Sequence, residues 1–359
     1  LRILSPVASP EEVEPLAEGG ADELFCGIFP TEWYERWGRG AWPNRRGPGP
    51  ANVESVEDLG AIADAAHALD RSVFVALNQQ FHPDDQAEFL LELAGEIVDR
   101  GAADAFIVTD PGFIALLKQE LPTASVFAST VTVALNSDTV KFLRDLGCDR
   151  VILSRHLALS ELADIRAGAP DVELEVFLLN DNCYFEEGFC STTHTMPGFG
   201  VYCMTPWELQ ITRDDGGAAI ADPEERARWD FLVEEHREYL RHLAHRGHGE
   251  GNAALPLGPC GLCAIPELID LGIHSGKIVG REASLYRKLR SVQAVRHIRD
   301  GYLAGRDAKA TKAEAVELRG DLRGCASGYS CYYREARDRD LIPFPTRARG
   351  PRRPPKARR

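Results

Sequence analysis

No apolar run in the chain approaches the roughly 20 residues that a bilayer-spanning helix needs. The opening Leu1-Arg-Ile-Leu-Ser-Pro-Val7 is too short and too strand-like for a secretory signal, which gives a cytoplasmic expectation. Positive charge is in deficit: 41 Lys and Arg stand against 55 Asp and Glu, a formal net charge of −14. General affinity for nucleic acid is therefore not expected. Cysteine is too sparse, and odd in number at nine among 359 residues, for a disulfide framework. In a reducing compartment such thiols are free or serve as ligands. Also missing are a Gly-x-Ser-x-Gly elbow, a His-Glu-x-x-His zinc motif and a Gly-rich phosphate loop after the first strand.

What is present is alternation. Strand-like apolar runs fall at Arg2–Val7, Glu23–Ile28, Ser72–Asn78, Ala105–Asp110, Ser125–Thr130, Arg150–Arg155, Glu173–Leu179 and Lys277–Gly280, with helical periodicity between them. Strands joined by helical crossovers make a parallel sheet. Eight of them favour closure, so the expected fold is an α/β (β/α)8 TIM-like barrel rather than an open doubly wound sheet. Residues 1–179 supply the first seven β/α units. A Cys-rich insertion, 180–275, separates strands seven and eight. Residues 276–305 complete the barrel, 306–344 form a C-terminal extension, and 345–359 read as a disordered basic, Pro-rich tail. Within the insertion, Asp222–Arg246 reads as a charged helix whose stripe of Trp229, Phe231, Leu232, Tyr239 and Leu243 is expected to pack on the barrel.

The insertion lies on the face where barrel enzymes place their active sites. It carries Cys183, Cys190, Cys203 and Cys260 in polar, Gly- and Pro-containing sequence. Their spacing is not that of a zinc ribbon; only Cys260-Gly-Leu-Cys263 has a Cys-x-x-Cys form. On spacing alone an iron–sulfur cluster, a zinc site and a scatter of buried thiols all stay open. The later pair, Cys325 and Cys331, lacks visible partners and reads as two ordinary thiols.

Local motifs along residues 3 to 300 resemble the peptidase U32 (collagenase-like) family. They include Glu18-Gly-Gly-Ala-Asp-Glu-Leu-Phe-Cys-Gly27, Asn44-Arg-Arg46, Ala51-Asn-Val53, Val75-Ala-Leu-Asn78, Ala128-Ser-Thr-Val-Thr-Val-Ala-Leu-Asn-Ser137 and Leu146-Gly-Cys-Asp-Arg-Val-Ile-Leu-Ser-Arg155. The most specific is Pro266-Glu-Leu-Ile-Asp-Leu-Gly-Ile-His-Ser-Gly-Lys-Ile-Val-Gly-Arg281. The resemblance implies a barrel and, as in the family's hydroxylases, a [4Fe–4S] cluster on Cys183, Cys190, Cys203 and Cys260. It further implies oxygen-independent hydroxylation with prephenate as hydroxyl donor. The acceptor stays open among a quinone precursor, an RNA base and a secondary metabolite, with RNA disfavoured by the acidic balance. The alternatives are a collagenase-like peptidase and a cluster-carrying non-catalytic subunit of a hetero-complex.

A dicarboxylate donor needs guanidinium groups placed for bidentate pairing. Arg45, Arg46 and Arg281 are the candidates for substrate binding, with Ser129, Thr130 and Tyr184. Arg155, His156, Asn78 and Asp110, at strand ends, are the candidates for catalysis, His156 as a proton shuttle. Arg155 and Arg281 have a second reading, as partners of carboxylates on neighbouring strands.

Overall fold

Strand closure is complete in the computed structural model, which describes residues 1–180, 183, 188, 220–245, 259–328, 331–338 and 340–341. The strands are β1 (Arg2–Pro6), β2 (Glu23–Ile28), β3 (Ser72–Leu77), β4 (Ala105–Val108), β5 (Val126–Ala128), β6 (Arg150–Ile152), β7 (Glu173–Leu179) and β8 (Ser275–Ile278). Each pairs in parallel with its successor, β8 pairs with β1, and the ring is shut. The strands read as near-continuous apolar runs because helices cover the outside and side chains fill the inside. All six residues of β2 are buried. A two-residue strand, Asn52–Val53, continues alongside Gly27 and Ile28 beyond the end of β1.

The crossover helices start where short polar residues satisfy free amides. Ser55 accepts from the amide of Asp58, Asn136 from that of Thr139, and Asp110 from those of Gly112 and Phe113, with Pro111 as the first helical residue. After β8, helix Leu285–Leu303 buries Val292, Val295 and Ile298 against the barrel. No helix among the described residues is long and apolar enough to cross a membrane.

The lower barrel interior is charged. Arg150 donates from Nη2 to Glu23 Oε1 at 2.8 Å and from Nη1 to Glu175 Oε2 at 3.2 Å. Lys277 Nζ meets Glu175 Oε1 at 3.0 Å, and Ser275 donates to Glu23 at 2.8 Å. Arg150 also lies 4.3 Å from the ring centre of Phe127, and Lys277 4.1 Å from that of Phe25. Two carboxylates and two cations thus balance inside the ring, and the hydrogen bonds offset the cost of burying them. Burial pushes the Glu23 carboxyl up, but the bonds and charge of Arg150 outweigh it and hold the group below its ordinary value.

The charged helix runs over Pro223–His245; of the stripe expected to pack on the barrel, Trp229 stays 39% exposed and Phe231 and Leu232 are half-buried, while the side chains of Tyr239 and Leu243 lie outside the described residues. The extension does dock: Tyr333 donates to the Phe177 carbonyl at 2.9 Å, and Tyr332 donates to the carbonyl of Asn180. The basic tail lies outside the described residues.

Candidate active site at the barrel mouth

The C-terminal strand ends deliver polar side chains to one opening. Asn78 directly follows β3. Its side-chain oxygen accepts from the amide of Arg45 at 3.3 Å, and its Nδ2 donates to Ser129 Oγ at 3.2 Å. Thr109 Oγ1 holds the Asn78 carbonyl at 3.0 Å. Arg45 reaches Gln80 Oε1 at 3.3 Å, and Gln80 Nε2 donates to the Gly188 carbonyl at 2.8 Å. Thr130 donates to the Leu153 carbonyl at 3.3 Å. Of the expected residues, Arg45, Asn78 and Ser129 therefore form one continuous rim. Next to it, Val133 takes φ +57°, a left-handed conformation that is unusual for a β-branched residue.

Arg281, three residues beyond β8, folds back into the ring. Its Nη2 donates to Asn44 Oδ1 at 2.9 Å and Nη1 to Asn52 Oδ1 at 3.4 Å. Asn44 is itself fixed by the Ile28 carbonyl at 3.0 Å. Arg46 pairs with Glu282 at 2.6 Å. Arg155 lies with its guanidinium 4.0 Å from the ring centre of Phe177.

Asp110 caps its helix and accepts the His82 amide at 3.1 Å, so its carboxylate is already engaged by backbone. His156 is exposed, with its amide on Ser154 Oγ at 3.3 Å. Tyr184 lies outside the described residues. Asn44, Asn52, Gln80 and His82 were not singled out in the sequence. Asn44 and Asn52 do lie in the quoted Asn-Arg-Arg and Ala-Asn-Val motifs, a signal that pointed there. His82 packs edge-on to Trp33 and Phe113, with both ring nitrogens buried and without a hydrogen-bond partner. Burial lowers its pKa to about 4 against the pull of Asp110, so the ring is neutral at pH 7.

Cys190 and Cys203 lie outside the described residues, and Cys183 is half-exposed just past β7. Cys260 bridges to Leu179 on one side and in parallel to Cys331 on the other. Cys260, Cys263, Cys325 and Cys331 line a single cavity of about 20 Å³. Burial, reinforced by the neighbouring thiols, pushes Cys331 up to about 12 and Cys325 up to about 11. The partners that Cys325 and Cys331 lack in sequence are thus supplied in space.

A family model described as Peptidase family U32 matches residues 8–340. The chain belongs to that family. It is similar to the tRNA hydroxylation protein P of Escherichia coli (strain K12), 28% identical over 293 residues that cover 74% of this chain and 63% of that protein. It is 27% identical to a 23S rRNA 5-hydroxycytidine synthase of the same strain, over 76% of this chain and 36% of that one. The tRNA hydroxylation protein P1 of Bacillus subtilis (strain 168) is 24% identical over 90% of this chain and 68% of its own. The chain thus spans 63% of the length of the first of these relatives.

Proposed function

We propose that this U32 protein hydroxylates a base in RNA, with the barrel mouth as the reaction chamber. The observation that carries the reading is the mouth itself: Arg45, Arg46, Arg155 and Arg281 gather there in a chain of net charge −14. Three relatives whose names specify tRNA or rRNA hydroxylation support the same substrate class and reverse the order that composition alone favoured. The rim of Asn78, Gln80 and Ser129 lines the opening that the edge of a base taken out of its stack would enter.

Prephenate as hydroxyl donor is the finer part of the proposal. Its two carboxylates match guanidiniums such as Arg281, which Asn44 and Asn52 hold at the barrel mouth. The [4Fe–4S] cluster expected on Cys183, Cys190, Cys203 and Cys260 stays part of the proposal; Cys260 shares a cavity with Cys263, Cys325 and Cys331, and Cys190 and Cys203 lie outside the described residues.

The test is mass spectrometry of nucleosides from tRNA and rRNA of cells lacking the gene, and of the same cells carrying wild type or Arg281→Ala. One nucleoside lighter by an oxygen in the deletion, restored by wild type and not by the variant, is expected. Identical nucleoside profiles in all three would sink the reading.

A further inference from the structure

We infer that Phe81 is a stacking platform at the barrel mouth, on which the RNA base next to the target base lies. The inference rests on the RNA-hydroxylase reading and names a contact within it. Residues 78–83 join β3 to helix Asp84–Arg100 on the face where the strand ends deliver Asn78 and Ser129. Side chains in this loop are arranged against their polarity. Gln79 is 8% exposed, and its Oε1 is buried with no hydrogen-bond partner among the described residues. His82 has both ring nitrogens buried, edge-on to Trp33 and Phe113. Between these two polar residues Phe81 is 65% exposed, more than any other large apolar side chain among the described residues. Burying an unpaired polar atom and leaving a phenyl ring in water both run against folding. A break of that kind with local preference marks a functional position.

The exposure is built in, because the residues on either side are anchored. Gln80 accepts from Arg45 at 3.3 Å and donates to the Gly188 carbonyl at 2.8 Å. The His82 amide donates to Asp110 Oδ2 at 3.1 Å. The ring is thus held out between two fixed neighbours, three residues from Asn78. Its surroundings select the occupant. A protein partner of ordinary size buries roughly 800 Å² on each side, whereas one ring stands here beside Gln80 and the exposed Asp84 and Asp85. A nucleobase needs only the face of the ring, and any base supplies a matching one. Taking the target base out of its stack leaves its neighbour with a bare face, and Phe81 covers that face. Asp84 and Asp85 repel phosphate, so the contact is one of ring and base and not of backbone.

The test is filter binding of the full chain to total tRNA and rRNA from cells lacking the gene, over a series of salt concentrations. Wild type is compared with Phe81→Ala, Phe81→Trp and Phe142→Ala. Phe142 is the control, a phenyl ring 56% exposed on the outer helix Ser137–Asp145. Phe81→Ala is expected to bind about tenfold more weakly, or worse, at every salt concentration. The slope of affinity against salt should stay that of wild type, because no charge is removed. Phe81→Trp and Phe142→Ala should bind as wild type does. The Phe81 ring is exposed, so the urea midpoint of Phe81→Ala should equal that of wild type. Returned to the deletion cells, Phe81→Ala should restore less of the modified nucleoside than wild type. Equal affinity of wild type and Phe81→Ala, or an equal loss in Phe142→Ala, would overturn the platform and leave RNA hydroxylation standing. Wild type that binds neither RNA would overturn both.

Discussion

The guanidinium of Arg281 occupies the space that a side chain on Gly27 would fill: a Cβ built there would stand 1.8 Å from Nη1 and 2.3 Å from Asn52 Oδ1. This gives a physical reason for glycine at the end of the Glu18–Gly27 motif. Gly27→Ala is expected to cost about 1–3 kcal/mol by overpacking and to expel Arg281 from the ring. Arg281→Ala in the same chain should relieve the guanidinium's part of that cost and leave the contact with Asn52, so a double-mutant cycle by urea unfolding reads a coupling. Additive effects would show that the two residues do not constrain each other.

Arg150 is expected to be the most costly single charge to remove. Arg150→Met strips hydrogen bonds from Glu23 and Glu175, both fully buried, and should destabilise by about 3–5 kcal/mol. The pH dependence follows from Glu23. Its native carboxyl lies below the unfolded value near 4.5, so its contribution is complete above that value and fades as pH falls through the native one. Stability profiles of wild type and variant should therefore converge in acid. Parallel profiles would mean that Glu23 is not the coupled group.

The barrel was legible because all eight strands are apolar runs broken by helical periods, a local signal that needs no knowledge of contacts. The charged interior was not. Glu23 and Arg150 open their strands and Glu175 and Lys277 lie third in theirs, and only closure of the ring brings the four together. The rim was half legible. Asn78 and Ser129 follow from position after a strand and Arg45 from the Asn44-Arg-Arg46 motif, whereas His82 needed the third dimension. The cysteines show the same limit. Cys260–Cys263 and Cys325–Cys331 are two unremarkable pairs until the Tyr332–Tyr333 clasp brings them together.

His82 predicts an acid weakness of its own. Its native pKa is about 4 against 6.5 for a free ring, because burial disfavours the cation. Between those values the unfolded chain binds the extra proton, so stability falls as pH drops from 6.5 toward 4. The full loss is on the order of 3 kcal/mol. His82→Phe keeps the aromatic packing against Trp33 and Phe113 and removes the titration. Urea midpoints at pH 7 and pH 5 should differ less for this variant than for wild type. An unchanged difference would assign the slope to other groups.

The extension's grip on β7 depends on two phenols, and they are separable. Tyr333 is buried, and its hydroxyl meets the Phe177 carbonyl inside the strand whose ring faces Arg155. Tyr333→Phe leaves the packing and one unpaired carbonyl, a loss of about 1 kcal/mol. Tyr332 instead holds the carbonyl of Asn180, which sits at φ +66°, a left-handed conformation that asparagine tolerates better than most residues. Asn180 also reaches the Val279 carbonyl at 3.2 Å and Ser291 Oγ at 3.3 Å, tying β7 to β8 and its helix. Tyr332→Phe is thus expected to loosen the turn where the insertion leaves the barrel, while Tyr333→Phe loosens the extension itself. Hydrogen exchange should show faster amides around residues 259–261 in the first variant and around 331–337 in the second. The same pattern in both variants would mean that the two tyrosines act as one clamp.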